Sequence, residues 1–157
     1  MYGHGRKQET YTLCYNLREW SAHRCNHHQI TPIQWAINAG GSPLESLESA
    51  RRVVDAAADK KASDIVLLNI HDLSIIADYF VICTGTNPRQ IGAIAAAVDE
   101  ELGKVGEHLL HREGTPDSGW MLLDFGDVIC HVFGPMEREY YQLERLWEAA
   151  PRLLYVE

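Results

Sequence analysis

Four groups of side chains have the types that chemistry draws on. Gly85-Thr86-Asn87-Pro88 follows an apolar run and opens a helical pattern, a junction that can present helix N-terminal amides to an anion. It lacks the Gly-rich spacing and the lysine of a phosphate-binding loop, and Asn87 followed by Pro88 reads as an N-cap and a first helical residue. Asp124 and Asp127 lie at a turn and could pair as metal ligands or as acid–base carboxylates, although Asp in a tight turn more often serves the turn itself. His131 sits in an apolar run with no Ser or Cys nucleophile beside it, and reads as a strand residue with a satisfied hydrogen bond. Cys14, His23, Cys25, His27 and His28 are metal-capable but match no Cys-x-x-Cys or Cys/His finger spacing. These residues predict no catalytic centre, no resident metal and no cofactor.

The elements that must hold them follow from periodicity. Leu47, Ala50, Val54 and Ala57 recur at helical spacing behind Glu45 and Glu48, with Lys60-Lys61 late, the charge order a helix macrodipole favours. Residues 64–70 and 79–84 are short, nearly continuous apolar runs, each expected as a buried strand. A second helix runs from Pro88 to about Lys104, with Ile91, Ile94, Ala95, Val98 and Leu102 as its apolar stripe and Gly106 as its stop. Residues 107–112 are expected as a strand and 113–119 as a polar loop. Residues 120–125 and 128–133 form a hairpin about Gly126-Asp127, and Pro135 starts a last helix with Met136, Tyr140, Leu143 and Trp147 on one face. The order α-β-β-α-β-β-β-α predicts an α/β (α+β) domain over residues 44–157, a mixed β-sheet covered by helices. Residues 1–43 hold no sustained period and read as a poorly ordered extension.

Composition narrows the function. With 46% hydrophobic and 23% charged residues the chain can bury a core, and its apolar stretches fall short of the roughly 18 residues of a membrane span. Four sparse cysteines fit a reducing, intracellular compartment. Fourteen Lys and Arg against 22 Asp and Glu give a net charge of −8, and from residue 46 onward 10 basic and 19 acidic side chains leave −9. Such a domain is repelled by naked phosphate and steered toward a basic partner.

The hairpin has two unlike faces. Met121, Leu123, Phe125, Val128, Cys130 and Val132 share a wholly apolar side that must be core. Trp120, Leu122, Asp124, Ile129, His131 and Phe133 share the other, a mixture that fits a recognition surface and fits equally a face covered by another helix.

The chain resembles the Iojap family, the ribosomal silencing factors, over residues 46 to about 150. The resemblance rests on the segments at 59–65, 78–86, 89–91, Glu113-Gly114, 119–133 and 138–147, with mild departures at Phe125, where Tyr is common, and Cys130, where a β-branched residue is common. It implies a fold similar to the nucleotidyltransferase superfamily without its catalytic carboxylates. Gly85-Thr86 stands at the turn that opens the helix, and no Asp-x-Asp pair occurs anywhere in the chain. It further implies a non-enzymatic translational repressor that binds the fourteenth protein of the large ribosomal subunit and sterically blocks joining of the small subunit when nutrients are scarce. The implied setting is the bacterial cytoplasm, or an organelle, with no membrane and no sequence-specific nucleic acid as partner and with room for a homodimer when free. The expected partner-binding residues are Trp120, Met121, Leu122, Asp124 and His131 on the hairpin, with Arg138, Tyr141 and Glu144 on the last helix. Competing readings are a metal-dependent nucleotidyltransferase or hydrolase on the same frame and a large-subunit assembly factor.

Overall fold

The computed structural model describes residues 43–157. The extension expected over residues 1–43 and the group Cys14, His23, Cys25, His27 and His28 lie, Pro43 apart, outside the described residues.

Helix α1 (Pro43–Asp59) opens on Pro43, where a missing N–H is no loss, and buries Ala50, Val53, Val54 and Ala57. Lys60 and Lys61 stand past its end in a turn instead of in its last helical turn; Lys60 N–H donates to Ala57 and Lys61 N–H to Ala58. Strands β1 (Ser63–Asn69) and β2 (Tyr79–Thr84) follow as expected, β2 buried along its whole length. Helix α2 (Pro88–Lys104) buries the expected stripe of Ile91, Ile94, Ala95, Val98 and Leu102. Its N-cap is Asn87, whose side chain accepts the Gln90 N–H at 2.9 Å.

After α2 come β3 (His111–Thr115), a single 3₁₀ turn (Pro116–Ser118), β4 (Trp120–Asp124) and β5 (Val128–Phe133). The third strand therefore begins four residues later than the expected 107–112 and runs on through Glu113–Thr115, the first part of the stretch read as a polar loop. Gly126 turns the β4–β5 hairpin with φ +97°, a conformation that favours glycine, and Phe125 N–H donates to the Val128 carbonyl across it.

The C-terminal region departs most from expectation. The single last helix is two short ones, α3 (Pro135–Tyr141) and α4 (Leu143–Leu146), broken at Gln142 with φ 44° and ψ 50°. A strand β6 (Arg152–Val156), absent from the predicted order, then pairs with β1. The helix break separates residues that one continuous stripe would have buried together: Leu143 is buried, whereas Met136 and Tyr140 are each 78% exposed.

The six strands form one sheet in the order β3-β4-β5-β2-β1-β6, with β2 and β5 parallel and the other neighbours antiparallel. On one face, α1 and α2 pack against Ile65, Leu67, Val81, Cys83, Met121, Leu123, Cys130 and Val132. The other face of β2, β4 and β5 is buried as well, which is why these strands read as continuous apolar runs. A mixed α/β fold with helices over a mixed sheet is thus what the chain adopts.

Candidate partner-binding surface

At the Gly85–Pro88 junction several donors that could have held an anion bond within the chain instead. Thr86 N–H and hydroxyl both donate to Gln90 Oε1 at 2.8 Å, and Gln90 Nε2 donates to the Lys60 and Lys61 carbonyls at 3.0 and 2.8 Å. Gln90 therefore ties the start of α2 to the α1–β1 turn. The two turn aspartates are likewise engaged: Asp124 Oδ1 accepts the Gly126 N–H at 2.8 Å, and Asp127 Oδ2 accepts the Ser46 hydroxyl at 3.2 Å. Among the described residues no group of three or more His, Cys, Asp or Glu side chains is placed to hold a metal ion.

The mixed face of the hairpin is a buried aromatic layer. Trp120 stacks on Phe133 with ring centroids 4.8 Å apart and meets Tyr141 at 4.6 Å; Phe80 lies edge-on to His131 at 5.0 Å and to Trp147 at 5.2 Å. Of the two readings open for this face, cover by another element is what the free chain adopts, the cover being the segment from α3 to Trp147. His131 is completely buried, and the loss of water pushes its pKa down to about 3, so the ring is neutral and packs as an aromatic.

The expected site residues thus fall into three places. Trp120, Leu122, Asp124 and His131 lie together in the covered layer, Trp120 at 9% exposure. Met121 points to the opposite face, into the core under α1 and α2. Arg138 and Glu144 bond to each other: the guanidinium donates through Nε and Nη2 to Glu144 Oε1 at 2.9 and 2.5 Å and through Nη1 to Thr84 Oγ1 at 2.8 Å. That clasp fastens α3 and α4 to the end of β2.

Two of the residues that reach water here, Met136 and Tyr140, are ones that helical periodicity placed on the apolar face of the expected helix. Met136 and Tyr140 stand one helical turn apart on α3, and Leu146 on α4 is 67% exposed. Tyr140 meets Tyr141 edge-on at 5.0 Å, and Tyr141 leads to Trp120, so the exposed ring is continuous with the buried stack. No sequence signal marks them: the break at Gln142, after which apolar residues no longer share one face, carries no Gly or Pro.

Comparison with known proteins converges on one group. The family model described as ribosomal silencing factor during starvation matches residues 43–156. The chain is similar to the ribosomal silencing factor RsfS of Bacillus subtilis (strain 168), 43% identical over 96 residues that make up 61% of this chain and 81% of that protein. It is also similar to RsfS of Halalkalibacterium halodurans, 41% identical over 108 residues, 69% of this chain and 92% of that protein. A crystal structure of a protein from Chromobacterium violaceum superposes with a TM-score of 0.64 at 34% identity, covering 66% of this chain and 87% of that one.

Proposed function

The chain belongs to the ribosomal silencing factor family, and from that premise we propose that it binds the large ribosomal subunit through that subunit's fourteenth protein and stands where the small subunit must join, holding translation back. The observation that carries the reading is the exposed pair Met136 and Tyr140, set on an aromatic stack and displayed by an acidic domain. Ribosomal proteins are basic, so the charge accelerates encounter, while desolvation of the apolar ridge supplies affinity.

In this reading Met136, Tyr140, Leu146 and Tyr141 make the contact. Trp120, Leu122, Asp124 and His131 support the ridge from beneath, Arg138 and Glu144 hold it in place, and Met121 serves through the core. The frame is nucleotidyltransferase-like with the catalytic carboxylates gone, which the self-satisfied Gly85–Gln90 junction supports. Residues 44–157 are the functional domain and residues 1–43 an accessory extension; the place of action is the compartment of translation, for a bacterial chain the cytoplasm.

Calorimetry with the isolated fourteenth large-subunit protein tests this. Binding of the full chain, weakened by Tyr140→Ser with unchanged melting, is the expected result; equal binding to protein-free ribosomal RNA would contradict it.

A further inference from the structure

At the end of β5 remote from α3, about 17 Å away along a six-residue strand, the β1–β2 connection folds against the β4–β5 turn. Asp78 N–H and Tyr79 N–H both donate to the Asp127 carbonyl, at 2.8 and 3.0 Å, so loop and turn lie fastened side by side. Between them opens a cavity of 240 Å³ lined by His71, Ser74, Ile75, Asp78 and Asp127 among others, with no lysine or arginine among the described lining residues. Its two carboxylates are unequally neutralised. Asp78 Oδ1 lies 2.7 Å from His71 Nδ1, whereas Asp127 has the neutral Ser46 hydroxyl. Burial, reinforced by the charge of Asp78 and opposed by the Ser46 bond, holds the Asp127 carboxyl above its ordinary range. Asp72 adds negative charge on the His71 side, and Arg51 acts near Tyr79. The loop tip beside the cavity is apolar: Ile75 is 92% exposed and Leu73 42%. A connection that had only to cross from β1 to β2 gains nothing from an isoleucine in water, whereas an apolar anchor beside under-neutralised carboxylates has the anatomy of a binding surface.

We propose that this loop and turn form a second docking surface, and that its occupant is a basic polypeptide segment with an aliphatic residue next to its cation. An arginine or lysine side chain enters between Asp78 and Asp127 while the aliphatic neighbour covers Ile75. Charge complementarity selects this occupant: a cation relieves the repulsion between the carboxylates, and a nucleic-acid phosphate would add to it. The surface lies at the opposite end of β5 from the α3 ridge, so a partner held at α3 and a basic segment held here can be bound together, which goes beyond the single contact proposed above.

The test is a ¹H–¹⁵N NMR titration of the full chain with a capped Leu-Arg-Leu-Arg peptide, with capped Leu-Glu-Leu-Glu as the control. Saturable amide shifts centred on residues 71–78, 126 and 127 are expected, weakened about tenfold by Asp127→Asn and by Ile75→Ser and unchanged by Tyr140→Ser. Ile75→Ser changes a side chain standing in water, so its spectrum should remain that of the folded protein. Shifts scattered over the acidic surface, shifts centred on α3 and lost with Tyr140→Ser, indifference to Ile75→Ser, or equal binding of the glutamate peptide would each overturn the proposal. Because the probe is a free peptide, the outcome is independent of whether the chain binds ribosomes.

Discussion

Trp120 and Tyr140 are separated by a single ring, that of Tyr141, yet truncation should affect them in opposite ways. Trp120 is packed between Phe133 and Tyr141, so Trp120→Ala should lower folding stability by roughly 3–5 kcal/mol. Tyr140 stands in water, so Tyr140→Ala should cost under about 1 kcal/mol of stability but about 2 kcal/mol of binding, some thirtyfold. Urea denaturation and calorimetry on both variants separate the two roles; a destabilised Tyr140→Ala would show that the ridge is core. His131 supplies a pH signature. Its folded pKa of about 3 lies below the ordinary 6.5, so below pH 6.5 the unfolded chain takes up a proton that the native one refuses. Stability is therefore fully present above pH 6.5 and falls toward pH 3, by up to about 1.4 kcal/mol per pH unit from this group. Melting temperature measured against pH should show a shallower acid limb in His131→Gln than in the parent chain. At this scale the sequence was readable where a local rule decides: Asn87-Pro88 is a cap in any context. It was ambiguous at Trp120 and His131, because the alternation of a strand places a side chain on a face without saying what lies over that face.

The elements with long periods, α1 and α2, and the apolar strands β1, β2, β4 and β5 were legible because burial on a sheet imposes one spacing over many residues. The C-terminal region was not. Seven residues of α3 and four of α4 give too few turns for a period to reveal the break, and Gln142 carries none of the Gly or Pro punctuation that marks one. What holds these short helices is the Arg138 clasp, since isolated helices of this length are not stable. Arg138→Ala leaves Glu144 half-buried without its cation and should lower stability by about 2 kcal/mol. Arg138→Lys should recover little, because an ammonium cannot span Thr84 and Glu144 as the guanidinium does. Thermal melting compares the two, and full recovery by lysine would reduce the clasp to simple charge. Two glycines make an opposite pair. Gly103 lies in α2 with nothing within 4 Å of a Cβ, so Gly103→Ala should stabilise by about 0.5–1 kcal/mol. Gly114 in β3 has φ +79°, and a Cβ there would run into the Trp120 carbonyl oxygen, so Gly114→Ala should break the β3–β4 pairing. Circular dichroism in urea reads both changes.

For the whole molecule, the acidic balance favours a basic partner from the sequence alone, and in the proposed reading that partner meets the exposed ridge on α3. An electrostatically steered complex should associate more slowly as salt is raised while its dissociation rate changes little, which stopped-flow fluorescence can follow. An association rate indifferent to salt would remove charge from the account. The central claim is that the bound domain and the small subunit exclude each other. Light scattering on purified large and small subunits at fixed magnesium measures joining directly. Joining should fall in proportion to the large subunits occupied by the chain, and about thirtyfold more of a Met136→Ser, Tyr140→Ser double variant should be needed for the same effect. Undiminished joining with every large subunit occupied would contradict the claim.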